Sequence, residues 1–407
     1  MTLRGSDHVV VVGAGLAGWR LVEALRREGF EGALTLVGDE SHRPYDRPPL
    51  SKQVLVGKWT ADHATLATDD HLASADVQLR LGSPAINLDV ATTTVDLADG
   101  DRIAGTHVVI ATGSRARTLP FSAQGALHTL RNLDDVAGLD RELADLEPES
   151  VVAVIGGGFI GAEVATALRT RGLRPVVLEA AERPLLNVLG PDVSSWLEGL
   201  PAAVGVELRT SQSIVDVQGS RGSFLISFKD GDDLEARAVV VGAGALPNVE
   251  WLATSGLTID NGVVVNEHLL ATDRVAAIGD VARFEWPNVA GSELTRIEHW
   301  QVANDHAGSL ARYWVTGEAA TKLLVPYFWS DQYAKKIQLL GHPRPSDDVT
   351  KVVVTPDDEK WVALYSRDGL VTGIVALSQP RALMLSKHLL EAPTMLDDAL
   401  AAAPWAS

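Results

Sequence analysis

With 407 residues, 46% of them hydrophobic, the chain is long enough for two or three domains and has ample material for their cores. Fifty-three acids against 35 bases leave a net charge of −18, which argues against nucleic acid or an anionic membrane surface as the main partner. Cysteine is absent, which excludes structural disulfides, thiolate-held clusters, a cysteine nucleophile and a dithiol relay.

The first apolar run, Val9–Val12, reads as a buried parallel strand and is followed by Gly13-Ala14-Gly15-Leu16-Ala17-Gly18 and a helix expected over Trp19–Glu28. A second strand ends in Asp39. Strand, glycine turn, helix, strand and terminal acid form a dinucleotide-binding βαβ unit. Gly13, Gly15 and Gly18, with Leu16 and Ala17 between them, would cradle a pyrophosphate, and Asp39 would accept from ribose hydroxyls. Nothing before Asp7 resembles a secretory leader, and no run reaches the ~18 apolar residues of a membrane span; a cytoplasmic enzyme is expected.

Residues 42–52, HRPYDRPPLSK, carry three prolines and are expected to be extended and rigid, with Arg43, Arg47 and Lys52 as nearby cations. Short strands are expected over 77–105, then a buried strand Thr106–Ile110 that ends in Ala111-Thr112-Gly113. Residues 125–150 read as a linker and a polar helix.

The βαβ device then recurs. Val151–Ile155 leads into Gly156-Gly157-Gly158-Phe159-Ile160-Gly161, a helix to about Arg171, and a strand Pro175–Leu178 closed by Glu179. Two such units in one chain suggest two dinucleotides. Glu179 favours NADH, since a carboxylate repels a 2′-phosphate, although Arg174 and Arg183 stand close in sequence. Glu163, placed in the helix's first turn, could simply complement the dipole. Short strands follow, including Phe224–Phe228 and Ala238–Val241, then Gly242-Ala243-Gly244. A strand Val275–Ile278 ends in Gly279-Asp280; Asp280 could be a helix cap. A helix is expected over Val302–Val315. From about residue 322, alternating strands (Tyr327–Gln332, Lys335–Leu340, Val352–Val354, Trp361–Tyr365, Val371–Ala376) and two terminal helical stretches form an α+β domain.

GAGLAG, VGDE and RPYDRPPLSK together resemble the FAD-dependent, NADH-using ferredoxin reductases of bacterial oxygenase systems, which have rubredoxin reductase and apoptosis-inducing factor among their relatives. The resemblance covers nearly the whole chain. It implies an α/β fold with two Rossmann-like dinucleotide-binding domains, of the glutathione reductase type, plus a C-terminal α+β domain. The expected limits are 1–113 with 246–321 for FAD, 114–245 for NAD(H) and 322–407 for the last domain. Carried over, Arg43 and Lys52 contact FAD, as do Ala111, Thr112, Gly113 and Arg117. Gly279 and Asp280 serve its ribitol, and the segment at His299 and Trp300 brings a helix N-terminus to the flavin. His299 could equally be a packing histidine.

Glu163 is expected to pair with Lys52 beside flavin N5. Phe159, Ile160, Gly242, Ala243 and Gly244 would shape the nicotinamide slot. Trp329, in Trp329-Ser330-Asp331-Gln332, matches a tryptophan on the electron-exit side, although a lone tryptophan is as readily core. Lys52, Glu163 and Trp329 are thus the candidate catalytic residues, and no metal site is expected. The implied activity carries electrons from NADH through FAD to an iron–sulfur ferredoxin that supplies an oxygenase. The ferredoxin would dock near Trp329, where Lys335 and Lys336 form a basic patch or are merely solvated. Neither nucleic acid nor membrane is an expected partner, and the protein would be a monomer or homodimer. Rubredoxin as acceptor, or a redox-sensing or structural NADH-binding flavoprotein, are the alternatives. The missing cysteine disfavours an oxidase, peroxidase or disulfide reductase.

Overall fold

Unbroken β-branched runs make buried parallel strands, because such a strand is covered on both faces and has no polar side to show. The chain uses this device in each of two compact units. A computed structural model describes residues 2–288, 291–319, 325–355 and 359–406. One unit comprises Met1–Asp46, Thr65–Arg115 and Leu246–Phe328, and the other Arg47–Ala64, Ala116–Ala245 and Trp329–Ser407. The expected domain junction at 321/322 lies outside the described residues.

In the first unit, His8–Val12 is the middle strand of a five-stranded parallel sheet. The order across it is Val275–Ala277, His107–Ile110, His8–Val12, Ala33–Val37, Gln78–Arg80. The helix Leu16–Arg27 buries Trp19, Leu21, Val22 and Leu25. It starts three residues earlier than expected because Gly18 lies inside its first turn. The helix Trp300–Thr316 adds Val302, Ala307, Leu310 and Trp314 to the same core and stops at Gly317 in the left-handed region. Ala85–Asp89, Thr94–Leu97 and Arg102–Ala104 form the small antiparallel sheet expected over 77–105, while Gln78–Arg80 joins the parallel sheet instead. The hairpin Ala282–Asn288 with Gly291–Thr295 was not foreseen.

The second unit has a four-stranded parallel sheet, ordered Glu207–Arg209, Arg174–Leu178, Val151–Ile155, Ala238–Val241. Ile214–Ser220, Ser223–Phe228 and Leu234–Ala236 form an antiparallel sheet that shares its core. The polar helix is Leu133–Leu143, begun by a reciprocal cap between Asn132 and Asp135. The C-terminal sheet is antiparallel, in the order Tyr327–Gln332, Lys335–Gly341, Leu370–Leu377, Trp361–Arg367, Asp348–Val354. It is tied to the helix Leu186–Leu197 by the buried Tyr365 hydroxyl, which donates to the Leu189 carbonyl at 2.7 Å.

The expectation of an extended segment over residues 42–52 needs correction at its end. Leu50–Val54 winds into a π-helical turn, with the Val54 N–H on the Pro49 carbonyl at 3.0 Å. Proline stiffens the chain but does not forbid this. Pro49 stands just before the turn, at φ −67°, where its missing N–H would have had no partner within the turn. Among the described residues, no helix is long and apolar enough to cross a membrane.

Candidate active site

The two glycine turns are built alike. Gly13, at φ +119°, lies under the Ala111 carbonyl, and a Cβ at Gly18 would strike the Gly13 carbonyl. Gly156, at φ +108°, lies under the Gly242 carbonyl, and a Cβ at Gly161 would strike that of Gly156. The middle glycines differ. A Cβ on Gly15 or Gly158 would meet nothing within 4 Å. Each begins its helix with no side-chain cap and no acid in the first turn. By contrast, Thr68 and Asn132 cap helices that carry acids in their first turns. Uncapped N–H groups, a positive dipole end and open space are what a pyrophosphate needs, so each turn fits the pyrophosphate of a dinucleotide.

In the first unit Asp39 is exposed at the strand end. Arg43 pairs with Asp69 at 2.6 Å on the surface. The Ala111-Thr112-Gly113 turn is braced by Asn248: Thr112 Oγ1 donates to its carbonyl at 2.8 Å, and Asn248 Nδ2 donates back to the Thr112 carbonyl at 2.9 Å. Gly113 takes φ +63°. Asp280 accepts from the Ser114 hydroxyl at 3.2 Å; it lies inside the short 3-10 turn Gly279–Val281, which begins after Ile278, and a strand follows, so it caps no helix beyond it. Ala17 packs by Gly279, whose φ is +70°. His299 precedes the helix Trp300–Thr316 and packs against Phe328 with the rings tilted by 36° and their centres 5.1 Å apart, and the Trp300 indole donates to Asp46 at 2.7 Å.

The Gly279 N–H donates to Nδ1 of His306 at 3.2 Å, so that nitrogen is an acceptor and the ring is neutral with its proton on Nε2. Burial pushes the His306 pKa down to about 4, against the opposing pull of Asp280. The unfolded chain takes up this proton near 6.5 and the folded one only near 4. The contribution of His306 to stability is therefore complete above pH 6.5 and falls by about 3 kcal/mol as pH drops to 4. Urea unfolding at stepped pH should show a steeper acid loss for the wild type than for His306→Gln; parallel profiles would refute this.

In the second unit Glu163 does not lie in the first helical turn, as expected, but a turn further on and buried. A dipole role therefore does not explain it. Its Oε2 accepts from Lys52 Nζ at 2.7 Å and from the Ser51 hydroxyl at 2.5 Å, and its Oε1 accepts from the Ser330 hydroxyl at 2.6 Å. Lys52 also donates to the Pro48 carbonyl at 3.2 Å. The pair opens on a cleft of about 360 Å³ that is also lined by Gln53, Val56, Lys58, Thr166 and Asp331. Trp329 is half-buried on the strand that carries Ser330. Successive side chains of a strand point to opposite faces, so Trp329 projects from the face opposite Ser330, the face it shares with Asp331 of the cleft.

Glu179 receives the Gly157 N–H at 2.6 Å and the Ala181 N–H at 2.8 Å, which fixes its carboxylate at the glycine turn. The arginines that blurred the cofactor preference are engaged elsewhere: Arg174 with Glu207 at 2.9 Å, and Arg183 with Glu182 at 3.0 Å. Phe159 is half-buried and Ile160 is 46% exposed beside the turn. Gly242 lies against Gly161, Ala243 follows it, and the Gly244 carbonyl accepts the Arg117 N–H at 2.9 Å. Lys335 pairs with Glu359 at 2.8 Å and Lys336 with Asp331 at 3.3 Å, so this patch carries no net positive charge.

Residues 7–307 match the family model described as pyridine nucleotide-disulphide oxidoreductase, and 327–407 the one described as reductase C-terminal. The chain belongs to the pyridine nucleotide-disulphide oxidoreductase family. Within it the chain sits among the ferredoxin reductases. It is 35% identical to the ferredoxin reductase component of chlorobenzene dioxygenase from Cupriavidus sp. (strain PS12), over 97% of this chain and 95% of that protein. It is also 35% identical to putidaredoxin reductase of Pseudomonas putida, over 95% of this chain and 92% of that protein. The reductase in the covalent putidaredoxin reductase–putidaredoxin complex matches at TM-score 0.89 and 31% identity, over 95% of this chain and 94% of that one. The disulphide chemistry in the family's name is closed to a chain with no cysteine.

Several residues of the site were missed in the sequence: Ser51, Ser330 and Gln332 around Glu163, Asn248 behind Thr112, and His306 behind Gly279. Only Ser330 and Gln332 gave a signal, as same-face positions of the Trp329-Ser330-Asp331-Gln332 strand.

Proposed function

We propose that this oxidoreductase takes electrons from NADH through FAD and delivers them singly to an iron–sulfur ferredoxin that supplies an oxygenase. One observation carries the reading: two uncapped glycine turns with open middle glycines, one in each unit, in a chain without cysteine. Two dinucleotides without a thiol relay leave an external carrier as the exit for electrons. Bound FAD supplies the exchange between a hydride and single electrons. The domain limits proposed are those expected from the sequence, with 1–113 and 246–321 holding FAD, 114–245 holding NAD(H), and 322–407 forming the C-terminal domain.

The chain's own contribution is binding and orientation. Gly13, Gly15 and Gly18, the Ala111–Gly113 turn, Arg43, Asp39 and Asp280 would hold FAD. Gly156, Gly158, Gly161 and Glu179 would hold NADH, with Phe159, Ile160 and Gly242–Gly244 at its nicotinamide. Lys52, held in place by Glu163, would set the field at the flavin. Ferredoxin would dock on the Trp329 side. Lys335 and Lys336 can take part only by exchanging Glu359 and Asp331 for acids of the partner, which is feasible because exposed pairs contribute about 0–1 kcal/mol.

Anaerobic stopped-flow mixing tests the reading. NADH should bleach the flavin, and an oxidised ferredoxin, but not buffer alone, should restore its colour within the turnover time. Restoration by rubredoxin and not by ferredoxin would overturn the acceptor. With ferricyanide as acceptor, kcat/KM for NADH should exceed that for NADPH by at least about 30-fold, and Glu179→Ser should narrow the gap, since the carboxylate repels the 2′-phosphate. Equal values in the wild type would refute the role of Glu179.

A further inference from the structure

We infer that Ser330 is a positioning residue for the flavin-reduction half of the reaction; the inference rests on the reading that Lys52 and Glu163 act on the flavin. Ser330 is fully buried, in the first strand of the C-terminal sheet, and its hydroxyl is the donor to Glu163 Oε1. Among the described residues that proton has no other acceptor. Gln332 Nε2, two residues on along the same face of the strand, donates into Ser330 Oγ at 3.2 Å and so occupies the acceptor side of the hydroxyl. A chain of donors therefore runs from Gln332 through Ser330 to one oxygen of Glu163, while Ser51 and Lys52 hold the other. A hydroxyl dipole aimed at a buried carboxylate offsets part of its negative charge and fixes where it stands, and hence where the ammonium of Lys52 stands.

Removing the Ser330 hydroxyl leaves Oε1 without a donor among the described residues. The carboxylate's charge is then less offset, so the local field turns more negative and the flavin becomes harder to reduce. Trp329, the neighbouring residue on the same strand, projects from the face opposite Ser330 and so takes no part in the donor chain that runs from Gln332 through Ser330 to Glu163. The two halves of the reaction should therefore separate at adjacent positions.

The test compares Ser330→Ala with Trp329→Ala in the FAD-loaded full chain, with flavin content and melting temperature recorded for each. Ser330→Ala should slow flavin reduction by NADH about tenfold, the scale of one lost charge-assisted hydrogen bond. It should also lower the reduced fraction of flavin at a fixed dye ratio severalfold, with reoxidation by ferredoxin changed less than twofold. Trp329→Ala should do the reverse. Ser330→Thr, which keeps the hydroxyl, should restore both readouts. Should Ser330→Ala fail to accumulate, Ser51→Ala carries the comparison, with the same direction expected. Equal damage to both half-reactions, or an unchanged reduced fraction, overturns the inference. Lys52→Met separates the two levels of the argument. If it leaves the flavin's reduced fraction at the wild-type value, the underlying reading fails; if it shifts that fraction and Ser330→Ala does not, only the present inference fails.

Discussion

Glu163→Ala should lower the stability of the second unit by about 3–5 kcal/mol, because it strands Lys52 as a buried, uncompensated charge. The Lys52 side chain is 14% exposed at the cleft, so water replaces the carboxylate only in part, and the Ser51 and Ser330 hydroxyls lose their acceptor as well. At roughly 2–4 °C per kcal/mol for a unit of this size, the melting transition should drop by about 6–20 °C. Glu163→Gln keeps the volume and an oxygen for Lys52, so its loss should be less than half as large. Differential scanning calorimetry of the apoprotein reads this without involving turnover. A transition within a degree or two of the wild type for Glu163→Ala would mean the pair is solvated in solution.

The second large effect separates cofactor binding from folding. Gly15→Ala and Gly158→Ala place a methyl group in open space, at φ of −85° and −76° that any residue adopts, so both variants should fold. On the proposed assignment, what the methyl displaces is the ligand. Gly15→Ala should purify as a folded protein without flavin absorbance. Gly158→Ala should keep its flavin and raise KM for NADH about 10- to 100-fold, the scale of one or two phosphate–amide hydrogen bonds. The outer glycines give the contrast: Gly13→Ala and Gly156→Ala drive a Cβ into a backbone carbonyl from a positive φ, and should fail to accumulate at all. Stoichiometric flavin in Gly15→Ala would overturn the assignment of the first turn.

Much of this was legible in the residues, for an identifiable reason. Parallel strands and glycine turns are local signals: the dinucleotide-turn glycines and the central parallel strands stand close to where their runs or spacing predict, whereas the short edge strands Gln78–Arg80 and Glu207–Arg209 were not recognised as members of the parallel sheets. Lys52 and Glu163 came from resemblance, and the structure brings them together in an ion pair at 2.7 Å. Partners that act across the fold were not legible. Ser51 looks like an ordinary hydroxyl until the chain closes on Glu163, Ser330 shows only the face of its strand, and His306 looks like any helix residue until Gly279 turns its N–H toward it. The π-turn at Leu50–Val54 was hidden because three prolines announce stiffness without saying in which conformation.

The order of strands in the first sheet has a consequence for how the protein is made. Four of the five strands, ending with His107–Ile110, leave the ribosome together, but their remaining neighbour, Val275–Ala277, is encoded after the whole second glycine-turn sheet. At about 5–20 residues per second, the open edge of His107–Ile110 waits roughly 10–30 s for its partner. A bare edge of buried apolar residues invites pairing with another nascent chain. The span of synthesis between Ile110 and Val275 is thus when this edge lies open to such pairing.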